Sequence, residues 1–292
     1  MTVHATSTSI PATDGVPLAA TWYAPAGAAA DAPLVLVCSA TAVKRGFYES
    51  FARFLAGRGF AALTFDYRGI GESRQGPLRG DGARMRDWGE RDLTGIVAWA
   101  VREHPERPLL LVGHSVGGQL LGLTPQAGRV AAAVFVAAQS GYFGHWPAPR
   151  RHLYAVLWYL LVPLAVWLLG YFPSRRMGFG GEDLPAGVAR EWARWCRTPH
   201  YMSDESGAPL RPHFGAVRAP IHAYSFSDDP YATARSVDAL LAFYGNAPTS
   251  HEHLRPEQAG APTVGHFGFF RDGRCRPLWS EAAEWLERHA AA

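Results

Sequence analysis

Lysine is almost missing from this chain. Nearly all of its 28 basic residues are arginine, with Lys44 the exception, and they are scattered among 25 acidic residues for a net charge of +3. No basic stripe forms, so a nucleic-acid partner is not expected. Cysteine is scarce as well: Cys38, Cys196 and Cys275 sit far apart. No pair has metal-ligand spacing, and an odd number does not fit a disulfide framework, so neither a bound metal nor a secreted disulfide scaffold is expected. There is no Gly-x-x-x-x-Gly-Lys stretch, and Gly69-Ile70-Gly71 lacks the third glycine of a dinucleotide fingerprint, so no cofactor is implied. Met1 to Ser7 offer neither a basic n-region nor an apolar h-region. A reducing cytoplasm is the expected location.

What is present is a large apolar content. The 292 residues are 48% hydrophobic and 18% charged, enough for one large core with room for an insertion. A hairpin is expected from Ser7–Thr13 and Leu18–Tyr23 around Asp14-Gly15, a turn dipeptide. Four continuous apolar runs follow, at Leu34–Cys38, Phe60–Phe65, Leu109–Val112 and Val130–Ala138. Such runs suit strands covered on both faces. Helical patterns at Phe47–Gly57 and Arg84–Glu103 alternate with them. Strand–helix alternation implies parallel pairing through right-handed crossovers. The alternation lapses between about Tyr142 and Pro212 and resumes with Pro220–Phe226, a helical stretch Tyr231–Tyr244, a strand near Ser250–Pro256 and a closing helix Leu278–His289. The expected architecture is α/β: a doubly wound, mostly parallel sheet built from residues 1–141 and 213–292, with a helical cap inserted at 142–212.

Leu110-Leu111-Val112 stops abruptly at Gly113-His114-Ser115-Val116-Gly117, which is Gly-x-Ser-x-Gly. A strand entering a helix through so tight a turn brings the serine backbone against its neighbours, and the flanking glycines leave room for that approach. The Ser115 hydroxyl is then pushed into the open at a helix N-terminus, where backbone N–H groups can hold a developing negative charge. A serine needs a base to take its proton, and histidine serves near neutral pH. Twelve histidines are available. His114 directly precedes Ser115, so its side chain diverges and a packing or hydrogen-bonding role is expected. His251 and His253 flank Glu252 like one face of a strand and have no evident third ligand.

With Asp66-Tyr67-Arg68-Gly69-Ile70-Gly71-Glu72-Ser73 after the preceding core strand, the elbow makes the chain resemble the α/β-hydrolase superfamily over nearly its whole length. Ser227-Asp228-Asp229 and Gly265-His266-Phe267-Gly268-Phe269-Phe270-Arg271 are similar to features of bacterial serine hydrolases related to serine aminopeptidases and monoacylglycerol lipases. The resemblance implies the order Ser115, acid, His266, with His266 as the base on a Gly-flanked loop before the last helix. It places the acid just past the strand Pro220–Phe226 and favours Asp229, which precedes Pro230, over Asp228. The other aspartate is then expected to cap a helix starting near Pro230. Asp66 is expected to organise its loop, paired with Arg68. For the oxyanion the resemblance implies the N–H of Val116 and a second donor in Ser39–Ala42, with Ala40 preferred and Thr41 the alternative. Many relatives carry His-Gly there; this chain does not.

The expected reaction is two-step acyl transfer to water, on a carboxylic ester with a hydrophobic acyl or alkyl group. An amidase, a peptidase, an acyltransferase or a non-catalytic membrane-associated scaffold are the alternatives. The apolar hint comes from His145–Tyr171, rich in Trp, Tyr, Leu and Val, and Leu153–Phe172 is twenty residues without a charge between Arg150-Arg151 and Arg175-Arg176. Pro163 and Gly170 interrupt it, so a buried or lid helix pair is preferred to an interfacial helix or a bilayer span. Peripheral membrane contact through this segment stays open, and no sequence feature sets the oligomeric state.

Overall fold

The apolar runs build the centre of the sheet. The computed structural model describes residues 2–290 apart from 28, 30 and 272. Along the chain, β1 (Val3–Pro11) and β2 (Pro17–Pro25) form the hairpin, followed by β3 (Leu34–Cys38), α1 (Glu49–Gly57) and β4 (Ala61–Phe65). Then come α2 (Thr94–Glu103), β5 (Leu109–His114), the short α3 (Val116–Gln119) and β6 (Ala132–Val136). The described residues form one eight-stranded sheet in the order β1-β2-β4-β3-β5-β6-β9-β10, where β9 is Ile221–Phe226 and β10 Thr249–Leu254. From β4 to β10 all neighbours pair in parallel; only the pairs β1–β2 and β2–β4 are antiparallel, so β2 alone runs against the other strands. Every residue of β3, β4, β5, β6 and β9 is buried, as expected for strands covered by helices on both faces. The edge strand β10 is polar and largely exposed, which keeps it from pairing with another sheet.

The chain leaves the sheet after β6 and returns at β9. In between lie the helix α4 (Arg150–Leu169), a ribbon of β7 (Tyr171–Phe172) and β8 (Leu184–Pro185), and α5 (Ala186–Arg197). The ribbon has two residues per strand, too short to leave a periodic signal in sequence. Pro163 does not split α4 into a pair, contrary to expectation. The five residues before Val162 are wound as a π-helix, Leu157–Leu161. A proline at 163 cannot donate to the carbonyl of residue 159 and its ring would crowd it; the wider winding accommodates both effects. The helix then ends at Gly170, whose φ of 76° is left-handed.

After β9 the chain forms α6 (Ala234–Leu241) and, past β10, α7 (Arg276–Ala290), which packs on β5 and β6. Helix α6 starts at Ala234 with Thr233 as its cap, the Thr233 hydroxyl accepting from Ser236 N. The expectation of an aspartate cap near Pro230 is therefore corrected. The Asp66–Arg68 pairing is corrected as well. Asp66 accepts from Arg45 N and Arg45 Nη1 and from Glu72 N, whereas Arg68 binds Asp92 and Asp14. Asp66 thus ties the loop after β4 to the segment after β3.

Candidate active site

The order of the sheet reverses between β3 and β5: the chain runs outward from β3 to β4 and then returns to the far side as β5. In open α/β sheets the carboxyl ends of the strands at such a switch point form a crevice. Ser115 sits there, between β5 and α3, with φ 52° and ψ −115°. No non-glycine residue adopts that conformation without cost. Its N–H donates to Val136 O on β6 at 3.0 Å. Two contacts explain the neighbouring glycines. A Cβ on Gly117 would overlap the carbonyl of Cys38, and one on Gly113 would lie 2.5 Å from Gly118 N. Helix α3 therefore starts almost on top of β3, and Val116 N, its first amide, has no intrahelical acceptor.

Ser115 and His266 border the same cavity, of about 540 Å³ counting its open mouth. Both side chains are almost fully buried. His266 Nδ1 lies 2.8 Å from Asp229 Oδ2. A carboxylate can only accept, so Nδ1 carries the proton and Nε2 is left as the basic nitrogen. Asp229 Oδ1 accepts from Tyr231 N at 2.7 Å and Ala232 N at 3.1 Å. Both carboxylate oxygens are thereby held. Asp228 is exposed and turns elsewhere: its two oxygens accept from Val264 N and Gly265 N at 2.9 and 3.0 Å, the two residues before His266. Adjacent aspartates thus serve different groups, one the imidazole and one the backbone that carries it.

The preferred second oxyanion donor, Ala40, is corrected by its own hydrogen bond. Its N–H donates to the Tyr48 hydroxyl at 2.8 Å, so it has no proton to spare. Thr41, the alternative, borders the same cavity as Ser115. Tyr48 was not singled out in sequence, and neither was the chain of bonds it belongs to. His114 Nε2 lies 2.8 Å from the His266 carbonyl and His114 Nδ1 2.8 Å from Tyr48 Oη. A carbonyl accepts, so Nε2 is protonated and Nδ1 accepts from the Tyr48 O–H. Burial, reinforced by the nearby His266, holds the His114 imidazole well below its ordinary pKa and therefore neutral. The loop after β3 and the backbone of His266 are joined in one buried run: Ala40 N–H to Tyr48, Tyr48 to His114, His114 to His266. His251 and His253 lie away from this site on β10, each with a ring nitrogen 2.7 Å from Ser225 Oγ.

Much of the cavity lining is aromatic, with Trp146, Tyr154, Trp158, Phe179, Trp192 and Tyr231. The first five come from the segment between β6 and β9. Tyr154 and Trp146 each donate to the Pro230 carbonyl, at 2.9 and 3.1 Å, which ties that segment to the loop bearing Asp229. Among the described residues that line the cavity, none is an aspartate, glutamate, lysine or arginine.

Comparison with known proteins agrees with this architecture. The family model described as "Serine aminopeptidase, S33" matches residues 30–180. Among curated proteins none matches the chain. Among solved structures, an esterase of Pyrococcus furiosus is similar over 98% of this chain and 91% of its own, at 16% identity and a TM-score of 0.61. A hypothetical protein of Pseudomonas aeruginosa covers 98% and 94% at 15% identity and 0.64. An α/β hydrolase of a Penicillium species covers 99% and 100% at 19% identity and 0.60. At these identities the likeness is one of fold. The family match spans more than half of a chain whose sheet order, elbow and parallel core are those of an α/β hydrolase, and the chain belongs to the S33 serine aminopeptidase-like family of α/β hydrolases.

Proposed function

We propose that this hydrolase cleaves a carboxylic ester with a hydrophobic acyl or alkyl group, through an acyl-enzyme on Ser115. His266 Nε2 takes the proton of the Ser115 hydroxyl as the oxygen attacks the ester carbonyl. Asp229 holds the imidazole in the required tautomer and stabilises the imidazolium. The tetrahedral oxyanion is held by Val116 N–H, with Thr41 N–H the second donor. His266 then returns its proton to the leaving alkoxide, and water, deprotonated by the same nitrogen, releases the acid. Residues 142–212 act as the cap that shields these steps from bulk water. The observation that carries the reading is the bond between His266 Nδ1 and Asp229 Oδ2, on the cavity that Ser115 borders at the elbow.

The lining favours a neutral apolar ester over a peptide. An aminopeptidase must hold a charged α-amino group, for which a carboxylate is the natural partner, and the described lining residues include none. Aromatic walls suit an apolar group and exclude water. A fluorophosphonate probe tests the nucleophile: modification of Ser115, located by mass spectrometry, is the expected result, and an unlabelled active protein would sink the assignment. A series of p-nitrophenyl esters, with an amino-acid p-nitroanilide for comparison, tests the substrate class. Esters of medium chain length should turn over faster than the anilide, and the reverse order would favour a peptidase.

Tyr48→Phe tests the buried run between the two loops. The variant leaves Ala40 N–H and His114 Nδ1 without partners, which costs about 1–3 kcal/mol each when buried. Because the same loops carry Thr41 and His266, kcat for a p-nitrophenyl ester should fall by roughly ten- to a hundred-fold, as expected for small displacements of reacting groups. Unchanged kcat together with a lowered melting temperature would reduce Tyr48 to packing alone.

A further inference from the structure

The described residues expose few large hydrophobic side chains, and all that are strongly exposed lie between Leu153 and Met177. Most belong to one face of α4. Leu153, Val156, Leu160, Leu164, Trp167 and Leu168 follow helical spacing along it, with Leu153 at 67% and Trp167 at 76% exposure. The opposite face is already occupied: Leu157, Trp158, Val162 and Val166 are buried, and α4 packs on α5. From Leu153 onward the helix is apolar all round, and the protein buries only a minor part of it. A contiguous apolar face of this kind marks a partner.

Charge identifies the partner. Arg150 and Arg151 stand at one end of α4, and Arg175 and Arg176 just beyond the other. All four are exposed, and none is ion-paired among the described residues. An apolar strip with guanidinium groups at both ends matches the boundary of a bilayer, where acyl chains take the apolar face and headgroup phosphates the arginines. A second copy of the chain fits less well. A two-fold contact along α4 would bring the arginine pairs of the two copies together, and α4 itself carries no aspartate or glutamate to offset them; a carboxylate close to them, Asp183, is engaged by Arg175 N. Trp167, exposed on this face, and Tyr159, exposed beside it with Arg197 of α5 over its ring, are the residue types that settle at a membrane–water boundary. Twenty residues of helix measure about 30 Å, enough to cross a bilayer by length. Crossing, however, would pull Trp158 and Tyr154 out of the cavity wall and break the Tyr154–Pro230 bond.

We propose that the outer face of α4 is a docking surface for a bilayer with anionic headgroups, the helix lying in the interfacial plane. Tyr154 and Trp158 of the same helix line the cavity, so a docked molecule holds that wall of the site within about one helix diameter of the lipid. The corollary, that the ester is drawn from the bilayer, rests on the hydrolase reading above; the docking does not.

Sedimentation with phosphatidylcholine vesicles, with and without phosphatidylglycerol, tests the proposal on both the natural chain and Ser115→Ala. The two proteins should bind alike, so a failed ester assay and a failed docking surface are told apart. Vesicles containing phosphatidylglycerol should bind at least about ten-fold more tightly than neutral ones, an advantage that salt erodes. The double variant Leu160→Asp, Trp167→Asp should lose binding to both while still hydrolysing a soluble ester at the natural rate, which also shows that it folds. Arg150→Glu with Arg151→Glu should lose the preference for phosphatidylglycerol. Two results overturn the proposal. One is absence of sedimentation with either vesicle. The other is a stable dimer that Leu160→Asp, Trp167→Asp dissolves and vesicles leave intact, which would make the face a contact between copies of the chain.

Discussion

Ser115→Ala is expected to lower kcat for a p-nitrophenyl ester by about 10⁴- to 10⁶-fold, because removal of a nucleophile leaves only binding and oxyanion stabilisation to act on water. Folding should be untouched, since alanine meets the same backbone requirement as serine. That requirement gives a second variant with an opposite signature. At φ 52° and ψ −115° a side-chain-bearing residue is strained by roughly 1–3 kcal/mol, whereas glycine takes this conformation freely at an entropic cost of about 0.5–1 kcal/mol. Ser115→Gly should therefore be as inactive as Ser115→Ala and more stable by about 1 kcal/mol, or a degree or two in melting temperature for a chain of this size. Kinetics and thermal melts of both variants check this. Residual turnover within ten-fold of the natural protein would remove Ser115 from the chemistry, and a less stable Ser115→Gly would show that the elbow is not strained.

The sheet was legible because its central strands are covered on both faces. Leu34–Cys38 and Leu109–Val112 have no polar position to confuse with a half-exposed strand or a surface helix, and their order follows from the helices between them. The elbow was legible for a related reason: the close approach of α3 to β3 admits no Cβ at 117, and that steric demand appears in sequence as a glycine. What escaped sequence reasoning depends on contacts between distant segments. Whether Ala40 N–H is available depends on Tyr48, which is brought beneath the loop after β3 by the turn preceding α1. Arg68 lies two residues from Asp66 yet finds Asp14 and Asp92 instead, 54 and 24 residues away. Pro163 gave a break where a helix continues, because local propensity does not contain the π-winding that tertiary packing on α5 supports. Asp228 and Asp229 are the sharpest case. They are chemically identical neighbours, and only the partners of each carboxylate distinguish them.

Those partners give the second large effect. Asp229→Asn should reduce kcat by about 10⁴-fold, the scale seen when a triad carboxylate becomes an amide. The reason lies in the other oxygen. Tyr231 N–H and Ala232 N–H both point at Oδ1, so an asparagine must place its carbonyl oxygen there and its NH₂ group at the Oδ2 position. That NH₂ faces His266 Nδ1, which must then accept. The imidazole proton moves to Nε2, the nitrogen that has to be free to deprotonate Ser115. Geometry is kept and the base is lost. Asp228→Asn acts differently: its oxygen can satisfy only one of Val264 N–H and Gly265 N–H well, and the NH₂ group opposes the other donor. Because Asp228 is exposed, water can replace the lost bond, and the cost should be about 1 kcal/mol of stability with kcat reduced far less than by Asp229→Asn. Measuring kcat and the melting temperature of both variants separates the two roles. If Asp228→Asn were the more damaging to kcat, the acid of the triad would be Asp228, and the Asp229–His266 bond would describe a resting state that the reaction does not use.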